Sequence, residues 1–476
     1  MSAVTFRFPT QDEFHAGFDT IRTELDIEDD FGPEVEQELS ELGVGLSAHR
    51  AVTDVADRRD IDLITVDPPT SMDLDQAFHA ERRGDGYRVF YAIADPAAFI
   101  TPDGPLDIAT RGRGVTYYAP DRNSPLHPRP LSEHAASLLP DVDRPSVLWT
   151  IDLDSSGERT DVHFGRALVR SRAKLSYSEV QQRLDNGDPT EQLQLLREIG
   201  TARQILEQQR GGVSINLPSQ EVVRTDSGYR LEHDESLPVE NWNAQISLLA
   251  GMTAGSLMLD AGIGLLRTLP PPPQETLDEI RLHARGLGVS WAPHVSYPDR
   301  VRQLNPALPA DVALLSVAVR ALRGASYLAL DGPTDESTIH WAIGADYAHV
   351  TAPLRRVGDR FANEALLSIM SGQRLPNWVD EALPQMPSLL NKARRRESQL
   401  DRAIIDFAEA LILEPMVGHT FPAIVTGQRR DGDAIIQIAD PAVSTVIDAQ
   451  LEPGTETEVR LVSAHPAKRT IRFELA

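Results

Sequence analysis

Hydrophobic and polar residues follow a two-residue period in the first half of the chain and a helical period further on. Alternating or continuous apolar stretches rich in β-branched residues predict strands over residues 61–67, 87–95, 146–154 and 162–170. Apolar residues spaced by three and four positions predict helices over residues 177–184, 191–209, 239–259, 274–285, 310–322 and 360–370. Strands that precede the helices, instead of alternating with them, are typical of an α+β fold.

The two ends of the chain differ from this central part. A helix is predicted over residues 11–25, and the acidic run ELDIEDDFGPEVEQELSE (residues 24–41) is interpreted as a solvated linker or helix face. A long helix is predicted over residues 388–413. Beyond residue 415, short β-rich segments separated by Gly and Asp turns predict a small closed barrel of the OB type.

These patterns divide the chain into three parts. An N-terminal helical and acidic segment covers residues 1–57, and a mixed α+β domain covers residues 58–387. Residues 388–476 hold a linker helix and a C-terminal all-β barrel of five strands. The 476 residues and the hydrophobic content of 41% are sufficient for a core in more than one domain.

The composition narrows the possible functions. The sequence contains no cysteine, which excludes disulfides, thiolate zinc sites and a cysteine nucleophile. The N-terminus lacks a basic stretch followed by an apolar run, and no apolar stretch reaches the roughly 20 residues of a membrane span, so we expect a cytoplasmic protein with no membrane partner. The net charge of −25 argues against a surface coated with nucleic acid but allows a basic channel inside an acidic exterior.

The first candidate for a functional site is the stretch TVDPPTSMDLDQAF, residues 65–78. It places Asp67, Asp73 and Asp75 close together directly after a predicted strand. Like charges at this spacing repel one another unless protonation, a basic side chain or a metal ion relieves the repulsion. A site made only of carboxylate oxygens suits Mg²⁺ or Mn²⁺ and does not suit zinc. The alternative is an Asp-rich surface turn with no ligand.

A second stretch, HVTAPLRRVGDR, carries two adjacent arginines. Arg355 and Arg356 follow a turn that contains proline and precede a predicted helix. Paired guanidinium groups at the start of a helix are suited to holding a phosphate group. The alternative is a surface arginine pair bridged to Asp359.

Together these stretches resemble one family, the RNB exoribonucleases of the ribonuclease II and ribonuclease R type. The resemblance covers about residues 35–371 and follows the family order. It is carried by IDLITVDPPTSMDLDQAF, VFYAIADPAAFI, LDIATRGRGVTYYAP, SPLHPRPLSEHAASLLPDVDRP, RAKLSYSEV, RGGVSINLP and YAHVTAPLRRVGDR. The C-terminal strands resemble the RNA-binding OB module that follows this catalytic domain in the family.

The resemblance implies an enzyme that uses Mg²⁺ or Mn²⁺ to hydrolyse single-stranded RNA from the 3′ end. The strand would pass down a channel in the RNB domain and be released as nucleoside 5′-monophosphates. A monomer is expected, and neither DNA nor a membrane is expected as a partner. The sequence does not identify protein partners.

The resemblance also implies roles for individual residues. The metal and catalytic cluster would comprise Asp67, Asp73 and Asp75, of which Asp75 matches the acid most critical for the chemistry. Arg355 would hold the scissile phosphate with Arg356 nearby. The resemblance places three further side chains against RNA: Tyr177, Tyr118 and His349. Tyr177 would stack on the terminal base, although a tyrosine at the start of a helix is by itself more typical of half-buried packing.

The sequence departs from the family pattern at several positions. Gln76 stands where the family has a fourth Asp, and Asp95 could replace that acid only if the fold brought it near. Ala244 and Gln245 stand where adjacent acids are common, and the helix after the arginine pair carries Asn363-Glu364 in place of His-Arg. The first 34 residues are too few for the paired N-terminal cold-shock barrels of the family.

These departures leave two further hypotheses open. The first is a catalytically weakened relative that binds RNA as a regulator or adaptor. The second is a metal-dependent phosphoesterase that acts on DNA or small nucleotides. If the missing acid limits metal affinity, replacing Gln76 by Asp should lower the Mg²⁺ concentration that the protein requires.

Overall fold

The architecture was analysed in a computed structural model. It describes residues 9–42, 55–215, 219–225, 228–234, 236–305, 308–429 and 432–476. Within these ranges, no helix combines the length and the apolar character that crossing a membrane requires.

A sheet of six strands lies at the centre of the middle part of the chain. Its strands are β1 (Ala56–Asp57), β2 (Leu63–Asp67), β3 (Gln76–Arg83), β4 (Gly86–Ala94), β5 (Asp143–Leu153) and β6 (Arg159–Ser176). They lie in the order β1-β6-β2-β3-β4-β5, and β5 pairs with β6 as well, so the sheet curls back on itself. β6 runs parallel to β2, and the register pairs Asp67 with Ser176. This pairing places the end of β2 beside the start of the next helix.

Four helices cover the sheet and share its main hydrophobic core. They are α4 (Tyr177–Asp185), α5 (Glu191–Gln209), α6 (Pro238–Ala261) and α10 (Val357–Ser371). In this core Trp149 and Phe164 stack with ring centroids 4.1 Å apart, and both side chains are fully buried. Because the sheet strands come before most of these helices in the chain, the α+β prediction is confirmed.

Smaller elements connect these layers. The short strands are β7 (Ser219–Thr225), β8 (Gly228–Asp234), β9 (Ile263–Thr268), β10 (Ser326–Asp331), β11 (Ile339–His340) and β12 (Ala345–Asp346). The remaining helices of this part are α3 (Pro105–Arg113), α7 (Gln274–Gly286), α8 (Tyr297–Arg302), α9 (Pro309–Ala318) and α11 (Asn377–Ala382). The helix predicted over 310–322 keeps α-helical geometry only as far as Ala318, and Val319–Leu322 forms a 3₁₀ turn.

The C-terminal part follows the predicted order of a long helix and five strands. The helix α12 spans Met386–Leu413. The strands are β13 (Thr420–Gln428), β14 (Ala434–Ile438), β15 (Val443–Ile447), β16 (Glu456–His465) and β17 (Thr470–Leu475). They form one antiparallel sheet in the order β15-β14-β13-β16-β17 that curls into a nearly closed barrel, which confirms the prediction of an OB-type module.

One N-terminal helix packs against this C-terminal part, and the other packs against the middle part of the chain. α1 (Gln11–Glu24) begins with a capping box at Thr10 and buries Phe14 and Phe18 against Phe407 of α12. α2 (Pro33–Glu41) lies inside the acidic run and buries Val35. The run therefore contains a packed helix, in which Glu34, Glu36 and Glu41 are exposed but Glu38 is buried and accepts a hydrogen bond of 2.8 Å from the Leu106 N–H.

Candidate active site

The loop between β2 and β3 carries the three predicted aspartates. β2 ends at Asp67, and a turn follows in which the Ser71 N–H donates to the Pro68 carbonyl at 3.0 Å. Lys174 Nζ donates to the carbonyl oxygens of Pro69 and Ser71 at 3.0 and 2.5 Å, which fixes the turn against β6. The turn redirects the chain so that it re-enters the sheet at β3 immediately after Asp75.

Asp75 is the most deeply buried of the three carboxylates, with 4% of its surface exposed. Its Oδ1 accepts a hydrogen bond of 2.8 Å from the Leu354 N–H, and Arg355 Nε lies 3.7 Å from its Oδ2. Burial raises the pKa of Asp75 well above its usual value, and the charge of Arg355 only partly opposes this. The fold thus brings together the acid and the arginine that the sequence predicted as a pair.

Asp67 and Asp73 lie close enough to this pair for the charge of Arg355 to act on both. Burial raises the pKa of Asp67 to about 6, with the charge of Asp73 adding to the effect and that of Arg355 opposing it. Asp67 Oδ2 is buried and has no hydrogen-bond partner within the described ranges of the chain. Tyr118 donates its hydroxyl to Asp73 Oδ2 at 3.2 Å, and burial also raises the pKa of Asp73. A cation between these groups would relieve both the repulsion and the unsatisfied oxygen.

The donor chemistry fits a hard divalent cation. All candidate ligands are carboxylate oxygens, which Mg²⁺ and Mn²⁺ prefer. In the part of the chain that the structure describes, no group of three or more His, Cys, Asp or Glu side chains is close enough to hold one ion. Mg²⁺ is usually bound through one or two carboxylates together with substrate phosphates. The assignment of Asp67, Asp73 and Asp75 as metal ligands stays a prediction, with the substrate as an expected further ligand.

The two adjacent arginines have different surroundings. Arg356 is the N-cap residue of α10, and its guanidinium forms two hydrogen bonds to Asp359, of 2.9 and 2.6 Å. The Arg355 side chain is 46% exposed and faces Asp75. The bridge to Asp359 that the sequence left open as an alternative therefore exists, but only for Arg356. Arg355 remains available for an anionic ligand.

Tyr177 is the first residue of α4, directly after the strand that pairs with β2. Ser176 caps this helix through Glu179, which fixes where the helix begins. The ring is half-buried against the main core, and Asn243 Nδ2 lies 3.4 Å from the hydroxyl. Burial raises the pKa of Tyr177 to about 12, and the charge of Asp67 contributes. The ring thus lies near Asp67, and the packing alternative accounts for part of its surface.

The other two residues predicted to contact RNA, Tyr118 and His349, line the same cavity as Arg355. Tyr118 is 39% exposed and reaches Asp73 with its hydroxyl. His349 is half-buried, and its Nδ1 lies 2.9 Å from the Tyr327 hydroxyl. Burial and the charge of Arg356 lower the pKa of His349 well below its usual value, so its imidazole is neutral at physiological pH. His349 can therefore offer a hydrogen bond but no charge.

Comparison with known families identifies two regions of the chain. Residues 55–372 match the RNB domain, and residues 419–476 match the C-terminal S1 domain of RNase II-type exonucleases. The chain belongs to the RNB family. The resemblance drawn from the aspartate and arginine motifs is thereby confirmed.

Curated relatives in the RNB family are longer than this chain. Exoribonuclease 2 of Yersinia enterocolitica is 28% identical over 408 residues, which cover 81% of this chain and 61% of that protein. Exosome complex exonuclease RRP44 homolog A of Arabidopsis thaliana is 28% identical and covers 74% of this chain and 39% of that protein. The chain thus spans about three fifths or less of the length of these relatives.

Solved structures show the same fold at low sequence identity. The apo form of Mycoplasma genitalium RNase R superposes with a TM-score of 0.86 at 19% identity and covers 98% of this chain and 78% of that one. Yeast Ssd1, a pseudonuclease, superposes with a TM-score of 0.73 at 15% identity and covers 94% of this chain and 57% of that one. A protein named RNase R and a protein described as a pseudonuclease therefore share this fold.

Gln76, the departure from the RNB aspartate motif, has a structural role. Its Nε2 donates to the Thr351 carbonyl at 2.5 Å, and its Oε1 accepts from the Tyr91 hydroxyl at 3.3 Å. Asn363 Nδ2 donates to the neighbouring Val350 carbonyl at 2.9 Å. Both amides thus anchor the segment that leads to Arg355. A carboxylate at position 76 could not donate to Thr351.

The other positions that bear on the departure from the RNB family pattern do not replace the acid that is missing at position 76. Asp95 is buried and bonded to Arg166, whose Nε lies 2.7 Å from Asp95 Oδ2, and Arg166 also pairs with Glu364. Gln245 donates to Glu207 at 2.5 Å. Asp95 therefore does not replace the missing carboxylate, because its charge is already compensated by Arg166.

Gln76→Asp is expected to lower the rate of RNA cleavage by about tenfold without lowering the Mg²⁺ concentration required. The loss of the bond to Thr351 leaves a buried carbonyl unsatisfied and loosens the segment that holds Arg355. The measurement is the initial rate as a function of Mg²⁺ concentration for the parent and the variant. This result would overturn the hypothesis that the missing acid at position 76 limits the affinity for Mg²⁺.

A matched control is Gln192→Asp. Gln192 also donates its amide to a backbone carbonyl of β3, that of Phe78, at 2.7 Å. This substitution should leave both the rate and the Mg²⁺ requirement unchanged. A reduced Mg²⁺ requirement in Gln76→Asp alone would show instead that position 76 acts as a metal ligand.

Proposed function

We propose that this RNB protein hydrolyses single-stranded RNA from its 3′ end and releases nucleoside 5′-monophosphates. The observation that carries the proposal is the position of Arg355, half-exposed and 3.7 Å from the buried carboxylate of Asp75. An exposed guanidinium beside a cluster of carboxylates can hold a phosphate that would otherwise be repelled. The relatives named exoribonucleases and an RNase R structure with ribose methylated single-stranded RNA support the substrate class.

Each side chain of the site has a proposed role. A divalent cation held by Asp67 and Asp73 would neutralise charge on the phosphate and activate water. Asp75 Oδ1 is occupied by the Leu354 N–H, which leaves Oδ2 to orient the attacking water. Arg355 would bind the scissile phosphate and stabilise its developing charge. Tyr177 would stack on the terminal base, since an aromatic face accepts any base.

Removal of divalent cations is expected to abolish cleavage and to leave RNA binding largely intact. Chelation by EDTA should reduce the rate to background, and Mg²⁺ or Mn²⁺ should restore it, whereas Zn²⁺ should not because the site offers only carboxylate oxygens. The measurement combines cleavage rates with fluorescence anisotropy of labelled RNA. Full activity in EDTA would contradict the metal assignment.

The proposed function is tested by identifying the products. Single-stranded RNA and DNA of the same sequence are digested, and the products are separated by chromatography. The proposal predicts nucleoside 5′-monophosphates from RNA and intact DNA. DNA cleaved at least as fast as RNA would favour the phosphoesterase hypothesis.

A second candidate function is that of an RNA-binding regulator with weak or no catalysis. Gln76 favours it, because the amide is bonded to Thr351 and carries no charge for a second cation. The shared fold of a yeast pseudonuclease shows that RNB architecture is compatible with this function. Tight RNA binding by fluorescence anisotropy, together with no released nucleotides in the digestion, would establish the regulator function.

A further inference from the structure

A cavity of about 440 Å³ adjoins the candidate active site, and both Arg355 and Tyr118 line it. Strands β9 and β10, the segment before α10, and helix α12 enclose it. Its lining is rich in basic and aromatic side chains: Arg267, Arg355, Arg394, Tyr118, Tyr327 and His340. In a chain with a net charge of −25, this is a local excess of positive charge.

Arg267 on β9 is the unusual member of this lining. It is 5% exposed, and its guanidinium lies over the ring of Tyr327 with its central carbon 4.5 Å from the ring centroid. Its Nη1 is buried and has no hydrogen-bond partner among the residues that the structure describes. Arginine stays protonated when buried, and an unsatisfied charged donor is costly. An acceptor that carries negative charge would satisfy this donor.

The acidic groups around the cavity do not supply that acceptor. Asp359 is bonded to Arg356, which satisfies both of its oxygens together with the Ala352 N–H. Glu397 of α12 lines the cavity, and burial raises the pKa of this carboxyl. The described lining thus combines the carboxyl group of Glu397 with four arginines, Arg267, Arg355, Arg356 and Arg394, of which Arg356 is already bonded to Asp359.

We propose that this cavity is a phosphate-binding subsite for the RNA backbone, with Arg267 as its main ligand. The proposal rests on the proposed function, because the strand must place its scissile phosphate at Arg355. A phosphodiester group one or more linkages away would then enter the cavity and pair with Arg267. The rings of Tyr118 and Tyr327 would flank the adjoining nucleotide.

The proposal is tested by binding RNA in which single phosphates have lost their charge. Oligonucleotides carry one methylphosphonate at successive linkages from the 3′ end, and affinity is measured in EDTA by fluorescence anisotropy. The parent should lose about tenfold in affinity at one linkage other than the scissile one. Arg267→Met should bind unmodified RNA about tenfold more weakly and should be insensitive to the methylphosphonate at that linkage.

Two further variants keep the experiment interpretable. Arg281 also lies over an aromatic ring, that of Trp291, and has a buried unpartnered Nε, but it does not line this cavity. Arg281→Met should bind every RNA as the parent does. Arg267→Lys keeps the charge without the planar fork and should retain part of the affinity and part of the sensitivity.

Three outcomes would overturn the proposal. The first is equal sensitivity of the parent and Arg267→Met at every linkage, and the second is an equal loss of affinity in Arg281→Met. The third combines two results: adenosine 5′-monophosphate or inorganic phosphate competes with RNA for the parent but not for Arg267→Met, and no methylphosphonate position changes the affinity of the parent. These results together would assign the cavity to the free product of cleavage. Because binding is measured in EDTA, these results do not depend on whether the protein cleaves RNA.

Discussion

Asp75→Asn is expected to reduce RNA cleavage by at least about a thousandfold while RNA binding stays close to that of the parent. The carboxamide has the same shape, and its oxygen can still accept from the Leu354 N–H. It removes the negative charge that faces Arg355 and the acceptor proposed to orient water. The measurements are single-turnover cleavage rates and RNA affinity in EDTA.

The thermal stability of Asp75→Asn shows whether the variant loses activity because a catalytic group is missing or because the fold is damaged. Because burial holds the pKa of Asp75 above its ordinary value, near 3.9, ionisation of its carboxyl opposes folding as the pH rises. At neutral pH in EDTA, Asp75→Asn should therefore unfold at the same temperature as the parent or at a higher one. A lower midpoint together with lost binding would show that Asp75 acts through the fold, and a rate equal to the parent's would remove Asp75 from the mechanism.

Arg355→Met is expected to lower mainly the cleavage rate, whereas Arg356→Met is expected to lower mainly the stability of the protein. Arg355 is half-exposed, so its loss should leave the free energy of unfolding nearly unchanged and should reduce cleavage by about a hundredfold or more. Arg356 compensates Asp359, which is 1% exposed, so its loss should destabilise the protein by about 3–5 kcal/mol. Urea unfolding and cleavage rates of the two variants provide the comparison.

The two variants control for each other, because they remove the same group one residue apart. A large loss of stability in Arg355→Met would indicate that its contact with Asp75 is structural. Unchanged stability in Arg356→Met would show that the bond to Asp359 contributes little, and both arginines would then be open to a role in phosphate binding.

The period of the apolar residues predicted most of the fold. The helix predicted over residues 191–209 matches α5 at both ends, and the five C-terminal strands form the expected barrel. In both cases the buried positions repeat with the period of the element, so local sequence is sufficient. The helix α2 was interpreted only as a solvated linker or helix face, because its acidic residues outnumber the few apolar ones that it buries.

The site was only partly predictable, because its residues interact across long stretches of the chain. The sequence paired the aspartates with Arg355 through the family resemblance and left the surroundings of Arg356 open. It could not show that Gln76 is bonded to Thr351, which lies 275 positions away. It also missed Arg267, because an arginine in a short strand is unremarkable until tertiary packing buries its Nη1 with no hydrogen-bond partner in the described part of the chain.

Cleavage of RNA from the 3′ end by the Asp75–Arg355 site is tested by digestion of 5′-labelled single-stranded RNA with Mg²⁺, followed on a sequencing gel, with Asp75→Asn alongside. We expect a ladder that shortens from the 3′ end with the parent and intact RNA with the variant. Intact RNA in both lanes, with binding preserved, would contradict it and would favour the regulator.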